Sequence, residues 1–155
     1  MRYSNDLYKE ILGIEYPWEV ETVEVSTDQS EVLIYLKYEQ KEGVCPECGE
    51  KFKIYDYRKP RKWRHLDTCQ FKTYIIASVP RICCNIHSVK IIDVPWSEPN
   101  SHFSILFESL AIHLLQATIN QSKTAEILRI SFSQIHTIIE KAVNRGLKKR
   151  KVQGF

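Results

Sequence analysis

The sequence predicts an α+β protein, with a small β-rich metal-binding domain followed by a three-helix helix-turn-helix domain. Three observations predict it. Short β-prone runs fill the first two thirds of the chain, paired Cys/His knuckles punctuate them, and helical apolar periodicity begins only after residue 100. The expected boundaries are 1–97 for the first domain and 101–147 for the second, with 148–155 as a basic tail or linker.

The elements follow in order. Asp6 to Leu12 suits a short helix closed by Gly13, ahead of a Tyr16-Pro17-Trp18 stop. Between Glu19 and Val25, the valines at 20, 23 and 25 interleave with Glu19, Glu21 and Glu24, as in a half-exposed strand. Ser26 to Ser30 reads as a turn, and Val32 to Tyr38 as the return strand of an acidic hairpin. Further β-prone runs lie at 52–57, 71–79 and 89–94. Pro95, Pro99 and the Ser-Glu-Pro-Asn stretch at 97–100 suggest a linker.

Beyond it, Phe103, Leu106, Phe107, Leu110, Ala111, Leu114 and Leu115 form one stripe at helical spacing. Residues 121–128 offer a second helix. Ile135, Ile138, Ile139, Ala142 and Val143 mark a third, which Gly146 is expected to end.

Charge is distributed unevenly. The net charge is +3, yet residues 1–50 hold 4 Lys/Arg against 12 Asp/Glu, and residues 51–155 hold 18 against 7. A basic segment of this size suits a polyanion, because each neutralised phosphate releases condensed counterions. No apolar run approaches the roughly 20 residues that span a bilayer, and no apolar secretory segment follows Met1. A cytoplasmic protein without a membrane partner is therefore expected.

Five cysteines, at 45, 48, 69, 83 and 84, form an odd set that argues against a disulfide framework. Cys45-Pro46-Glu47-Cys48-Gly49 has the spacing that lets one tight turn aim two thiolates at one ion. Cys84-Asn85-Ile86-His87 repeats that spacing. Cys45, Cys48, Cys84 and His87 together predict one structural Zn²⁺ in a closed Cys₃His tetrahedron, with no position left for a substrate. Cys83 or Cys69 stands as a competing ligand; otherwise both are expected to be packing residues.

Between Gln121 and Ile139 the residues have a DNA-reading layout. Ala125 is small enough for two helices to cross closely. Ser131 and Gln134 suit a capping box, so the recognition helix is expected to start at Phe132. Arg129 occupies a turn position that favours Gly, at a cost if its φ is positive. With the apolar stripe turned inward, Ser131, Ser133, Gln134, His136, Thr137 and Lys141 are left to face duplex DNA, Gln134 being suited to a bidentate adenine contact. Arg145, Lys148, Lys149 and Arg150 are placed to hold phosphates. A second candidate patch is a basic-aromatic loop at 57–65 with Arg58, Lys59, Arg61, Lys62 and Arg64, alternatively a packed segment with solvated cations. No nucleophile motif, phosphate-cradling loop or carboxylate cluster is seen.

In combination, several stretches resemble the bacterial insertion-sequence transposases of the ISL-three type. They are Leu7-Tyr8 to Leu12-Gly13, the Cys45-to-Gly49 knuckle, Trp63-Arg64-His65-Leu66-Asp67, Val79-Pro80-Arg81, Cys84-x-x-His87 and Val94-Pro95-Trp96. Asn85 and Ser88 depart from the usual Pro and Gly. The resemblance implies a zinc-binding domain and a helix-turn-helix that bind the element's terminal inverted repeats, followed in the family by an RNase-H-like catalytic domain. Only 15 residues follow Glu140, the last acidic residue, so the chain is expected to bind DNA without cutting it and to take no small-molecule substrate. A homodimer is compatible with this, since transposon ends are brought together in pairs. The alternative is a stand-alone transcriptional regulator using the same motif.

Overall fold

A computed structural model describes residues 2–152. The chain divides into two compact units, Met1–Ile105 and Leu106–Phe155.

The first unit opens with helix α1 (Arg2–Leu12) and continues through strands β1 (Trp18–Ser26), β2 (Glu31–Tyr38), β3 (Glu42–Val44), β4 (Lys51–Tyr57), β5 (Arg61–Thr68), β6 (Phe71–Ala77), β7 (Pro80–Cys84) and β8 (Ser88–Ile91). These strands form two four-stranded sheets, ordered β1-β2-β6-β5 and β3-β4-β7-β8. The acidic hairpin is present as the antiparallel pair β1–β2. A bulge between Val20 and Thr22 explains its odd apolar phase. One extra residue carries the inward face from Val20 to Val23, and Val25 is left exposed at the strand's end. The sheet's one parallel pairing is β2 with β6. A parallel return needs a long crossover, and β3 to β5 supply it.

The core explains several sequence landmarks. Trp96 packs edge-on against both Trp18, at 4.7 Å between ring centroids, and Trp63, at 5.3 Å. Ile34, Ile75 and Ile82 are fully buried around them. On β3, Gly43 lies so close to Ile82, Ile92 and Ile54 that an added Cβ would come within 2.9–3.2 Å of them. Glycine is required there by space.

The segment predicted as a basic loop is, from Arg61 onward, strand β5. Its sequence hides this, because the alternation expected of a half-exposed strand is broken. Trp63, Arg64 and His65 are all buried. Arg64 pairs with Asp67 at 2.8 Å, and His65 Nδ1 meets Ser104 Oγ at 2.7 Å. The expected linker is likewise built into this unit. Arg64 N–H donates to His102 O, Ser104 N–H donates to Arg64 O, and the hydroxyls of Ser97 and Ser101 both donate to Phe103 O. Phe103 therefore belongs to a bridge with Arg64 and not to the following helix.

The helices are α2 (Ile105–Thr118), α3 (Gln121–Leu128) and α4 (Phe132–Val152), so four helices occur among the described residues once α1 is counted. On α2, Phe107 and Ala111 are buried, but Leu106 and Leu110 of the predicted stripe are exposed. Apolar residues occupy several faces of α2, so spacing alone misassigned its buried side. Helix α4 continues through Gly146 and takes in the start of the expected tail. A single glycine costs a helix only about 1 kcal/mol, which neighbouring turns absorb. Residues 153–155 of that tail lie outside the described residues, as do the side chains of Lys149 and Arg150.

Burial holds His65 neutral, with its pKa pushed down to about 4. The unfolded chain titrates near 6.5, so between these values it binds more protons than the folded one. This contribution is complete above pH 6.5 and lost as pH falls toward 4, by up to about 3 kcal/mol. Denaturant titrations at stepped pH should show that loss, and His65→Asn, which keeps a partner for Ser104, should flatten it.

Candidate metal centre and nucleic-acid interface

Two tight turns of the second sheet build the metal centre. In the β3–β4 connection, Gly49 N–H donates to Cys45 O and Cys45 N–H donates to Glu50 O, each at 2.9 Å. Gly49 sits at φ 76°, a left-handed conformation that an L side chain resists. Cys84 ends β7, and His87 lies in the β7–β8 connection. The ligand atoms of Cys45, Cys48, Cys84 and His87 all lie within 4.8 Å of one another.

These distances test the metal. Tetrahedral zinc, with Zn–S near 2.3 Å and Zn–N near 2.05 Å, requires S···S edges of about 3.8 Å and S···N edges of about 3.6 Å. Cys48 Sγ lies 3.7 Å from Cys84 Sγ, and His87 Nδ1 lies 3.8 Å from Cys45 Sγ and 3.4 Å from Cys84 Sγ. The set fits one structural zinc. Burial raises the Cys84 thiol, but backbone N–H groups of His87 and Ile86 and the neighbouring thiols outweigh it, so its pKa falls below the ordinary value. That favours the thiolate a metal needs.

The competing cysteines are placed elsewhere. Cys83 alternates with Cys84 on β7 and is exposed, and Cys69 is exposed in the β5–β6 turn at φ 49°. Neither packs in a core as expected.

In the second unit, α3 and α4 are joined by Arg129-Ile130-Ser131. Asn120 caps α3, its side chain accepting from Lys123 N–H at 2.9 Å. At the other end Arg129 is left-handed, at φ 56° and ψ 46°, as its place in the turn predicted. Ile130 N–H reaches Ala125 O at 3.0 Å and Arg129 N–H reaches Glu126 O at 3.2 Å, the paired bonds of a Schellman turn.

The capping box at the start of α4 is reciprocal. Gln134 N–H donates to Ser131 Oγ at 3.1 Å, and Ser131 N–H donates to Gln134 Oε1 at 2.9 Å. Ile135 and Ile138 are buried, while Ser131, Ser133, Gln134, His136 and Thr137 are exposed and Lys141 is half-buried. Gln134 Oε1 is thus engaged in the cap. A bidentate adenine contact needs that same oxygen, so the two roles compete. Thr137 Oγ1 donates to the backbone carbonyl of Ser133 at 2.9 Å, which orients the Thr137 side chain, while the Ser133 hydroxyl lies 3.1 Å from Ser131 Oγ.

Among the expected phosphate contacts, Lys148 is exposed. Arg145 instead has a protein partner, Glu108 on α2, at 3.4 Å. Glu108 is buried, and its apolar neighbours in sequence gave no sign of this.

The second patch is divided. Arg58, Lys59 and Lys62 are exposed. Arg61 lies over the Trp63 ring at 4.6 Å and donates to Ser101 O at 3.0 Å, and buried Arg64 is withdrawn from the surface. Sequence reasoning missed a row on β4. Lys51 and Lys53 alternate with the less exposed Phe52 and Ile54, so both project from one exposed face, and the bulge between Ile54 and Asp56 ends that alternation. The period-2 pattern was available as a signal.

A zinc ribbon followed by a capped two-helix unit defines a class of DNA-binding proteins. Residues 41–87 match the zinc-finger of transposase IS204/IS1001/IS1096/IS1165, and residues 92–143 match the helix-turn-helix domain of transposase family ISL3. The chain belongs to this family, as its zinc-binding and helix-turn-helix region. No curated protein and no solved structure matches it. No helix among the described residues is long and apolar enough to cross a membrane.

Cys48→Ser should abolish stoichiometric zinc, read by metal analysis, and disorder the turn at 45–50 while the helices of the second unit keep their circular dichroism. Arg129→Gly should raise stability by about 1 kcal/mol in thermal melts, since glycine adopts the left-handed turn without steric cost.

Proposed function

We propose that this chain recognises the terminal inverted repeats of its insertion element as duplex DNA, with α4 in the major groove. The observation that carries the reading is the exposed first two turns of α4. There a reciprocal cap fixes the helix start, and Ser133, His136 and Thr137 face outward from a helix anchored by Ile135 and Ile138. Helix-turn-helix proteins present the N-terminal residues of the second helix to base edges. Because Gln134 Oε1 is held in the cap, Ser133, His136 and Thr137 are the leading base contacts, and Gln134 joins them where the cap opens.

Lys141 and Lys148 supply phosphate contacts along the same helix, and Arg145 fixes α4 on α2 through Glu108. Arg58, Lys59 and Lys62, with the Lys51 and Lys53 row, are further phosphate contacts of the first unit. Arg61 and Arg64 serve its packing. The reading makes this region the binding part of a transposase whose strand cleavage resides elsewhere, acting in the cytoplasm. Pairing of two copies, one per transposon end, belongs to the same reading.

Fluorescence anisotropy with the element's terminal repeat and with a scrambled duplex tests it. Thr137→Ala and His136→Ala should each cost about 1–3 kcal/mol on the repeat and little on the scrambled duplex. Lys148→Ala should weaken both alike and reduce the salt slope by about 1. Equal affinity for the two duplexes at every salt concentration would overturn the proposal.

A further inference from the structure

Beyond the four ligand residues, the knuckle holds a contact that zinc coordination by itself does not require. The imidazole of His87 turns Nδ1 toward the sulfurs, 3.4 Å from Cys84 Sγ and 3.8 Å from Cys45 Sγ. Its other nitrogen, Nε2, lies 3.3 Å from Oε2 of Glu47, the third residue of the Cys45-Pro46-Glu47-Cys48 turn. The second oxygen of that carboxylate, Oε1, meets Lys90 Nζ on β8 at 3.1 Å. The three side chains form a line, Lys90–Glu47–His87, that ends on the metal position and ties the first knuckle to the hairpin carrying the second.

We infer that Glu47 is a positioning residue for the metal, accepting a hydrogen bond from His87 Nε2–H and so committing His87 to bind zinc through Nδ1. Neutral imidazole carries one proton, and a metal ligand must offer its bare nitrogen. A carboxylate on the far side selects the tautomer protonated there and fixes the ring plane. Glu47 lies within the first knuckle and His87 within the second. Their hydrogen bond therefore holds the two halves of the ligand set in register, and Lys90 holds the carboxylate in place. The sequence alone conceals this, because a residue inside a Cys-x-x-Cys turn reads as a spacer.

A merely decorative contact makes a different prediction. An exposed Lys–Glu pair contributes little to stability and leaves metal affinity alone. A carboxylate that orients a metal-bound histidine changes affinity by about 10–100-fold.

The experiment uses the full zinc-loaded chain, with zinc affinity read by competition with a chromophoric chelator and the His87 tautomer read from its imidazole ¹⁵N shifts. The wild-type spectrum should show Nδ1 bound to metal and Nε2 protonated. Glu47→Ala should weaken zinc by about 10–100-fold. Glu47→Gln keeps an acceptor oxygen and should retain the tautomer and recover part of the affinity. Lys90→Met should lose less, in the same direction. Zinc bound through Nε2 in the wild type overturns the inference, as does unchanged affinity in Glu47→Ala. Should Glu47→Ala not fold, the wild-type tautomer and Glu47→Gln decide. DNA binding enters none of these readouts, so the outcome is independent of the proposed recognition of repeats.

Discussion

The convergence of three sulfurs and one imidazole on a single point is the constraint on which the second sheet depends. Strands β3 and β8 are three and four residues long, too short to hold a sheet edge through hydrogen bonds alone. A zinc ion joins the turn after β3 to the turn before β8, and so closes the far end of the sheet. Two of the ligands are also core residues. Cys45 and Cys84 are buried in the same cluster as Trp63 and Trp96. Metal and apolar core are therefore one continuous interior, and removing the ion leaves buried thiolates without their counter-charge.

That interior also accounts for the uneven use of basic residues in β5. Arg61, Lys62 and Arg64 follow one another closely in sequence yet have three fates. Arg61 covers an indole ring, Lys62 lies over the Tyr74 ring at 4.0 Å while remaining exposed, and Arg64 is buried beside Asp67. A cation's availability to phosphate depends on its partner and not on its place in a basic run. Arg145 makes the same point in the second unit, where buried Glu108 engages a residue that composition would have given to DNA.

Around the α3–α4 turn the chain's local chemistry and its packing agree almost everywhere. Asn120 caps α3, a Schellman turn ends it, and the box at Ser131 and Gln134 begins α4. Arg129 is the exception, a non-glycine residue in a left-handed turn. Its conformation is enforced because Ile130 must return to contact Ala125 for α4 to leave in the right direction. Agreement of so many local signals on one turn is what makes this part of the fold readable.

The sequence by itself determined the ligand set, the acidic hairpin, the order of sheets before helices, and both ends of the α3–α4 turn. Each is encoded locally, by cysteine spacing, by alternation or by capping chemistry acting within four residues. The tertiary structure decided what no local window contains. It made β5 a strand by burying Trp63, Arg64 and His65 together against residues some forty positions away. It absorbed the 97–104 segment into the first unit, chose which face of α2, apolar on several sides, would be buried, and carried α4 past Gly146. Those outcomes are set by contacts between distant segments, whose energies outweigh the weak preferences that sequence periodicity reports.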